Sequence, residues 1–332
     1  MAAQTILSSR VRLARNYEDL PFDAARRDDT AAMCIARTSN ALKLSGTDGG
    51  FILLRLRDME RVQRESLVES HLITRDLNQN PENAAVLLNM DEGLSIMMNE
   101  EDHLRIQAMS PGMNLQQAAD RCFAVEDALS RQVTFAFDPQ LGYLTACPTN
   151  TGTGMRASLL MHLPMLTLCK QMGNVGQIVA KVGLTIRGVY GEGAEALGNL
   201  YQVSNQVTLG RTEQELISAV TAVGHQLTDM ESALWDKTWA SSRITLEDSI
   251  YRAWGIMRHA RVMPMNEFYK HWSALRMGAV RGVINLPAAR LDALLDQAQD
   301  AHVQAYAEEH ITGSALDEAR ATRIRTILSM DD

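Results

Sequence analysis

Two hydrophobic patterns divide this 332-residue chain. As far as about Thr212, short apolar runs alternate with clusters of Gly, Pro, Asn and Asp, the punctuation of short elements. Residues 51–57, 85–90, 94–99 and 104–109 have the length and composition of strands. Residues 135–137 and 143–146 flank Asp138-Pro139-Gln140-Leu141-Gly142 and predict a hairpin. Residues 114–131 and 157–171 predict helices, the second kinked by Pro164, and 184–189 and 200–204 predict two more strands. Strands that follow strands with few helices between them imply an α+β class, with a largely antiparallel sheet flanked by helices. Beyond Thr212 the pattern is helical: 213–236, 246–259, 266–277, 288–309 and 315–330, with Pro264 and Pro287 as separators. The expected organisation is a first domain over 5–236 and a helical C-terminal domain over 241–330.

Hydrophobic residues make up 46% of the chain, enough to build one large core or two smaller ones. The formal net charge of −8 disfavours a nucleic-acid backbone as partner and suits a basic peptide or a guanidinium compound. A merely solvated acidic surface has the same composition. The four cysteines, Cys34, Cys122, Cys147 and Cys169, form no C-x-x-C pair, and no disulfide framework is expected. Residues 1–15 carry arginines without an apolar stretch, and the longest apolar run, 159–169, is too short to span a bilayer. These features predict a cytoplasmic protein without membrane or direct nucleic-acid contact.

Four segments are unusual for plain core or plain surface. In Ser8-Ser9-Arg10-Val11-Arg12 an extended backbone points Arg10 and Arg12 the same way, and two guanidinium forks on one face suit a polyphosphate. A solvated basic edge strand has the same sequence. Asn99-Glu100-Glu101-Asp102-His103-Leu104-Arg105 puts three acids at the end of an apolar run, where they either hold a cation or form a charged turn. Residues 147–158, from Cys147 through Thr151-Gly152-Thr153-Gly154 to Ser158, read as a thiol before a small-residue loop that opens a helix. Helix amides attract anions and lower a thiol pKa, and Arg156 in a first turn asks for a bound anion. A buried cysteine beside a capped helix is the plainer alternative. Residues 187–198 contain a G-x-G-x-x-A match at Gly191, Gly193 and Ala196, but Glu192 and Glu195 would repel a pyrophosphate there. A mobile Gly-rich lid with a functional carboxylate fits better. His71, a fifth candidate, has no pattern of its own. No P-loop, H-R-D or D-F-G sequence occurs, which disfavours P-loop and hydroxyl-directed protein kinases.

In this order the segments resemble the phosphagen (ATP:guanido) kinase superfamily, and within it the bacterial protein-arginine kinase branch. The likeness runs from about Ile6 to Asp236 and continues more weakly through Arg252-Ala253-Trp254-Gly255 and Leu275-Arg276-Met277-Gly278. It makes the first domain the catalytic one. It implies transfer of the ATP γ-phosphoryl group to arginine side chains in proteins, with Mg²⁺ carried by the nucleotide and no metal site on the protein. By the same resemblance, Arg10, Arg12, Arg105 and Arg156 surround the phosphates. Ser8, Ser9, Val11 and a helix start at Arg156, Ala157, Ser158, Leu159 and Leu160 line that pocket, and His71 packs on the adenine. The loop Arg187, Gly188, Val189, Tyr190, Gly191 and Glu192 closes over the nucleotide. Glu101 and Glu195 grip the substrate guanidinium, with Cys147 beside it. The implied partners are proteins with exposed arginines, a Clp-type protease, a stress-response repressor and a second copy of the chain.

Two departures from small-molecule members bear on the substrate. The helical N-terminal domain of those enzymes is expected to be missing, since the chain starts almost at Ser8-Ser9-Arg10, and Tyr190 stands where they usually carry an arginine. Both favour a protein substrate. A kinase of a free guanidino metabolite and a catalytically weak protein-binding adaptor are the competing readings. Near the C-terminus the branch carries R-D-x-x-R-A as a phosphoarginine pocket. Here Leu316-Asp317-Glu318-Ala319-Arg320-Ala321 keeps Asp317, Arg320 and Ala321 but has Leu316 in place of the first arginine. The resemblance gives the guanidinium to Asp317 and the phosphate to Arg320; an exposed i,i+3 ion pair is the bland alternative.

Overall fold

The computed structural model describes residues 2–22, 27–189, 196–307 and 310–329. Its strands are β1 (Ile6–Arg15), β2 (Ile52–Arg55), β3 (Ala85–Asn89), β4 (Leu94–Met98), β5 (Leu104–Pro111), β6 (Phe137–Asp138), β7 (Gly142–Tyr143), β8 (Met155–His162), β9 (Leu184–Gly188) and β10 (Leu200–Asn205). Its helices are α1 (Ala2–Thr5), α2 (Asp28–Leu44), α3 (Arg61–Glu69), α4 (Arg75–Gln79), α5 (Leu115–Ser130), α6 (Pro164–Leu168), α7 (Met172–Lys181), α8 (Glu213–His259), α9 (Met265–Val280), α10 (Ala288–Gln297), α11 (Asp300–Ala307) and α12 (Ser314–Leu328). Among the described residues, β6 and β7 form a small hairpin, and the other strands form one antiparallel sheet of order β2-β3-β4-β5-β1-β8-β10-β9.

Side chains alternate along each strand, so the sheet has two chemically distinct faces. Val11 and Leu13 of β1, Ile106 and Ala108 of β5, and Ala157 and Leu159 of β8 are buried on one face, in a core shared with α2, α5, α7 and the first half of α8. The opposite face is packed at its two ends. Over β3 and β4, Val86, Leu88 and Met97 join Leu56, Ile73 and Leu77 beside α3 and α4. Over β8 and β10, Leu160 and Leu200 join Phe268, Tyr269 and Trp272 of α9. Between these two walls, a strip across β5, β1 and β8 carries polar side chains.

Several elements differ from the sequence-based expectation. Residues 157–171 form the end of β8 and then α6, not a kinked helix, and Pro164 occupies the first turn of α6. Ala, Leu and Met favour a helix locally, but β8 pairs with β1 on one side and β10 on the other, and tertiary pairing overrides a weak propensity. Residues 213–236 and 246–259 merge into one 47-residue helix that bends where Ser242 leaves helical geometry (φ −143°, ψ 37°). Residues 288–309 break between α10 and α11. Helices α2, α3, α4 and α7 lie where no element was expected. In α2 the apolar stripe is built from Ala31, Cys34, Ile35, Ala41 and Leu42, with Thr38 in the middle, so its period is blurred by small and polar residues.

One buried carboxyl ties α8 to the end of the sheet. Glu231 accepts the backbone N–H groups of Met165 (2.7 Å) and Leu166 (2.9 Å) at the start of α6. Burial pushes its pKa from 4.5 up to about 7, against the lowering effect of those two donors and Arg281. The folded chain therefore holds a proton that the unfolded chain has already released. Its stabilising contribution is complete below about pH 4.5 and is lost as pH rises through about 7. Melting temperature measured across that window should fall with pH, and Glu231→Gln should flatten the slope. A Gln variant with the wild-type slope would assign the dependence to another group.

Candidate active site

Strand register builds the polar strip. Arg12 stands opposite Arg156 of β8 and Gln107 of β5; Arg10 stands opposite Ser158 and Met109; Ala14 stands opposite Arg105. Period-two alternation then puts Arg10, Arg12, Arg105 and Arg156 on one face. Arg187 of β9 joins them from across β10, opposite Gln202.

So many guanidinium groups on one face repel each other. Burial first, and then Arg10, Arg105 and Arg156, push the Arg12 pKa well below its ordinary value. Burial, Arg187 and Arg105 lower that of Arg156. Arg156 Nη2 donates to Ser204 Oγ (2.9 Å), while its Nε is buried without a hydrogen-bond partner. An orphaned buried donor within a repelling cation cluster is costly unless an anion fills it. Such a face suits a polyanion. Arg105 is answered by Glu100, whose side chain is 2% exposed and also accepts from Thr74 Oγ1.

The strip contains two adjoining hollows of different chemistry. One, of about 70 Å³, is lined by residues that include Ser8, Arg10, His71, Met109, Leu160 and Val189. Burial, then Arg10 and Arg75, hold the His71 pKa down to about 4, so its imidazole is neutral at physiological pH. A neutral ring among apolar side chains suits the flat face of a base. The other hollow, of about 230 Å³, is lined by Arg12, Arg105 and Arg156 together with Glu101, Cys147, Thr149 and Asn150. Here a carboxylate that is 47% exposed and a thiol stand beside the phosphate-type cluster. The Glu101 pKa is raised by burial and by Asp102, with Arg105 and a hydrogen bond from Cys147 acting the other way.

Other candidates are placed differently. Ser9, Val11, Ala157 and Leu159 point to the opposite face and are buried in the core; Ser9 Oγ donates to Gly112 O (2.7 Å) and accepts from Asn114 N–H (2.9 Å). Their side chains do not line the hollows, because alternation sends every second residue through the sheet. Arg156 lies within a strand instead of a first helical turn. Cys147 precedes a three-residue 3₁₀ turn, Pro148–Asn150, with its Sγ 3.0 Å from Thr149 Oγ1. The helix-dipole argument for an acidic thiol therefore does not apply. Gly188 ends β9, and Val189 donates its N–H to Leu200 O (2.9 Å). Tyr190, Gly191, Glu192 and Glu195 lie outside the described residues.

Arg320 is not free for a phosphate. Its side chain is 2% exposed, and every guanidinium nitrogen already donates: Nε to Ala298 O (2.9 Å), Nη1 to Met263 O (2.8 Å) and Asp317, Nη2 to Asp300. Leu316 and Ala321 are buried beside it. Asp317 and Arg320 are thus neither an open ligand pocket nor an exposed ion pair. A guanidinium this deeply buried must satisfy its donors internally, and it does.

Four residues have roles that the sequence-based reading did not assign. Gln107 accepts from Arg10 Nε (2.6 Å) and donates to His71 O (2.8 Å), tying together two residues that line the first hollow. Asp102 accepts from Asn16 Nδ2 and Ala146 N–H (both 2.7 Å), tethering the loop that brings Cys147 to Glu101. Asn205 accepts the N–H of Ala157 (2.8 Å) and donates to Met155 O (3.0 Å) at the start of β8. Glu100 takes the close Arg105 pair, while Glu101 stands 3.9 Å from Arg105 Nη2. Gln107 was findable: the period that aligns Arg10 with Arg12 aligns Arg105 with Gln107.

Residues 33–234 match the family model of the ATP:guanido phosphotransferase C-terminal catalytic domain. The chain belongs to the ATP:guanido phosphotransferase family. Residues 243–332 match a second model, the protein-arginine kinase McsB C-terminal domain. The protein-arginine kinase of Moorella thermoacetica is 42% identical over 331 residues, covering 98% of this chain and 95% of that one. That of Bacillus subtilis is 38% identical over 330 residues, covering 98% and 90%. The crystal structure of lombricine kinase aligns with a TM-score of 0.62 at 26% identity, over 71% of this chain and 70% of that one. The duplicated taurocyamine kinase from Schistosoma mansoni, with bound transition-state-analogue components, shares the fold at a TM-score of 0.64 and 24% identity, over 94% of this chain and 47% of that one. As an ATP:guanido phosphotransferase, the chain is an ATP-dependent enzyme, and a cationic face of this kind suits a nucleotide's phosphates.

The repulsion in that face has a measurable signature. Arg12→Met and Arg156→Met should leave the nucleotide-free protein at least as thermally stable as wild type. Each should weaken Mg-ATP about tenfold or more, the effect of one lost charge-assisted hydrogen bond. Calorimetric titration with unchanged affinity in both variants would refute the site.

Proposed function

We propose that this chain transfers the γ-phosphoryl group of ATP to the guanidinium of arginine side chains in proteins, leaving phosphoarginine. The observation that carries this reading is the single hollow in which Arg12, Arg105 and Arg156 adjoin Glu101 and Cys147. Phosphoryl transfer needs positioning and charge neutralisation more than covalent chemistry. The base occupies the hollow at His71, and the phosphates lie over Arg10, Arg12, Arg105 and Arg156. The arginine face supplies cations and not oxygen ligands, so it fits Mg²⁺ that arrives on the nucleotide; the ion would neutralise phosphate charge.

The acceptor guanidinium is a cation and a poor nucleophile. Glu101 pairs with it, aligns one nitrogen toward the γ-phosphorus and accepts a proton from that nitrogen as the N–P bond forms and the bond to the leaving ADP oxygen breaks. Cys147 lies beside Glu101 and orients the same group. Glu195, on the segment outside the described residues, is the proposed second carboxylate. Support for a protein substrate, as opposed to a free metabolite, comes from the half-exposed Glu101 and from relatives named protein-arginine kinases that match nearly the whole chain. Substrate proteins with exposed arginines are then its partners. A second copy of the chain, a Clp-type protease and a stress-response repressor belong to the same proposal through the resemblance. Among the described residues no helix is long and apolar enough to cross a membrane, and the cytoplasm is the proposed location.

The direct test is mass spectrometry for acid-labile phosphoarginine after Mg-ATP is incubated with an arginine-rich protein and, separately, with free arginine. Modification of free arginine alone would overturn the protein-substrate assignment. Glu101→Gln should lower turnover at least ~10²-fold with ATP affinity retained, within the range for general acid–base groups. Full activity in that variant would remove Glu101 from the mechanism. In the native protein, alkylation should spare Cys34, which is buried with its pKa pushed up to about 12, and Cys122, also raised by burial. It should reach Cys147, and Mg-ATP with a guanidino substrate should protect that thiol.

A further inference from the structure

The C-terminal helices grip the catalytic part at a point next to the base hollow. Glu69, the last residue of α3, sets its carboxylate on the N-terminus of α11. Its Oε1 accepts the N–H of Ala301 (2.8 Å) and its Oε2 the N–H of His302 (3.1 Å). The His302 ring closes the contact, with Nδ1 2.8 Å from Glu69 Oε2 and Nε2 3.1 Å from Ser70 Oγ and 3.3 Å from Ser66 Oγ. One tautomer satisfies all of these: Nδ1–H donates to the carboxylate, and Nε2 accepts from the hydroxyls. Helix α11 is anchored in turn, because its first residue, Asp300, accepts from the buried Arg320 of α12. The two walls that flank the polar strip are thus joined through α3 and α11.

The residue after Ser70 is His71. Its φ of +58° lies in the left-handed region, which a residue with a side chain occupies only when its surroundings hold it there. Gln107 holds it from the sheet side through the His71 carbonyl. The α3 terminus holds it from the other side, and that terminus is clamped by α11.

We propose that Glu69 and His302 are positioning residues of the nucleotide site. Their contact fixes the end of α3, which keeps the His71 ring in the base hollow, so the C-terminal domain sets nucleotide affinity without touching nucleotide. This rests on the reading of that hollow as the base site, and His71→Ala tests that reading separately.

The experiment measures KM for ATP and kcat on a protein substrate for the full chain carrying Glu69→Ala, His302→Ala, both together, or His71→Ala, with thermal melts to verify folding. Each clamp variant should raise KM about five- to tenfold with kcat kept within about twofold, the pattern of a lost binding interaction. The double variant should be no worse than the worse single, since both act through one contact. A raised KM in His71→Ala with wild-type KM in both clamp variants would overturn the positioning role alone. Wild-type KM in His71→Ala would overturn the role and the base-site reading together. A fall in kcat at constant KM in the clamp variants would indicate general damage and also overturn it. Should Glu69→Ala fail to fold, Ser66→Ala with Ser70→Ala loosens the His302 ring without stranding a charge, and the same KM rise is expected.

Discussion

Mutual repulsion among guanidinium groups on one sheet face is the constraint around which this protein is built. Arg12 and Arg156 face each other across a strand pair, and Arg10, Arg105 and Arg187 surround them. In water such a cluster would disperse. Here each arginine is held by the backbone pairing of β1, β5, β8 and β9, and the cost is met by hydrogen bonds such as Arg10 to Gln107 and Arg156 to Ser204. A rigid sheet keeps the donors in place before any ligand arrives, which is how preorganised electrostatics favours a charged transition state.

The remaining architecture follows from keeping that strip polar and accessible while the rest of the sheet is buried. One face is given wholly to the main core. The other is packed at β3–β4 beneath α3 and α4 and at β8–β10 beneath α9, leaving the polar strip between. Opposite charge is brought in sparingly: Glu100 pairs closely with Arg105 at the edge, and Glu101 remains half-exposed. Buried charges elsewhere act as struts. Arg15 pairs with Glu126 (2.5 Å), Arg276 with Asp292 (2.5 Å), and Arg320 of α12 ties the segment before α9, the end of α10 and the start of α11 together through Met263 O, Ala298 O and Asp300. Removing one member of such a pair leaves the other charged and unsatisfied, which makes them conformationally decisive even where their net stabilisation is small.

The sequence by itself determined the parts that depend on neighbouring residues. Short apolar runs and their punctuation marked most strands, because burial on a pleated surface selects β-formers locally. Period two put Arg10 and Arg12 on one face. The order of the motifs pointed to the family. Only the tertiary structure decided what depends on residues far apart in the chain. It made residues 155–162 a central strand against their own helical preference, because two partner strands supplied hydrogen bonds that no local signal announces. It turned Ser9, Val11, Ala157 and Leu159 into the core, gave Arg105 to Glu100, and placed His71, through a left-handed turn, against a strand 36 residues away. It also buried Arg320, whose spacing from Asp317 reads equally well as a surface pair. Spacing fixes which side chains share a face. Whether that face meets solvent, a ligand or another helix is set by packing between distant segments, where the desolvation of each charge is decided.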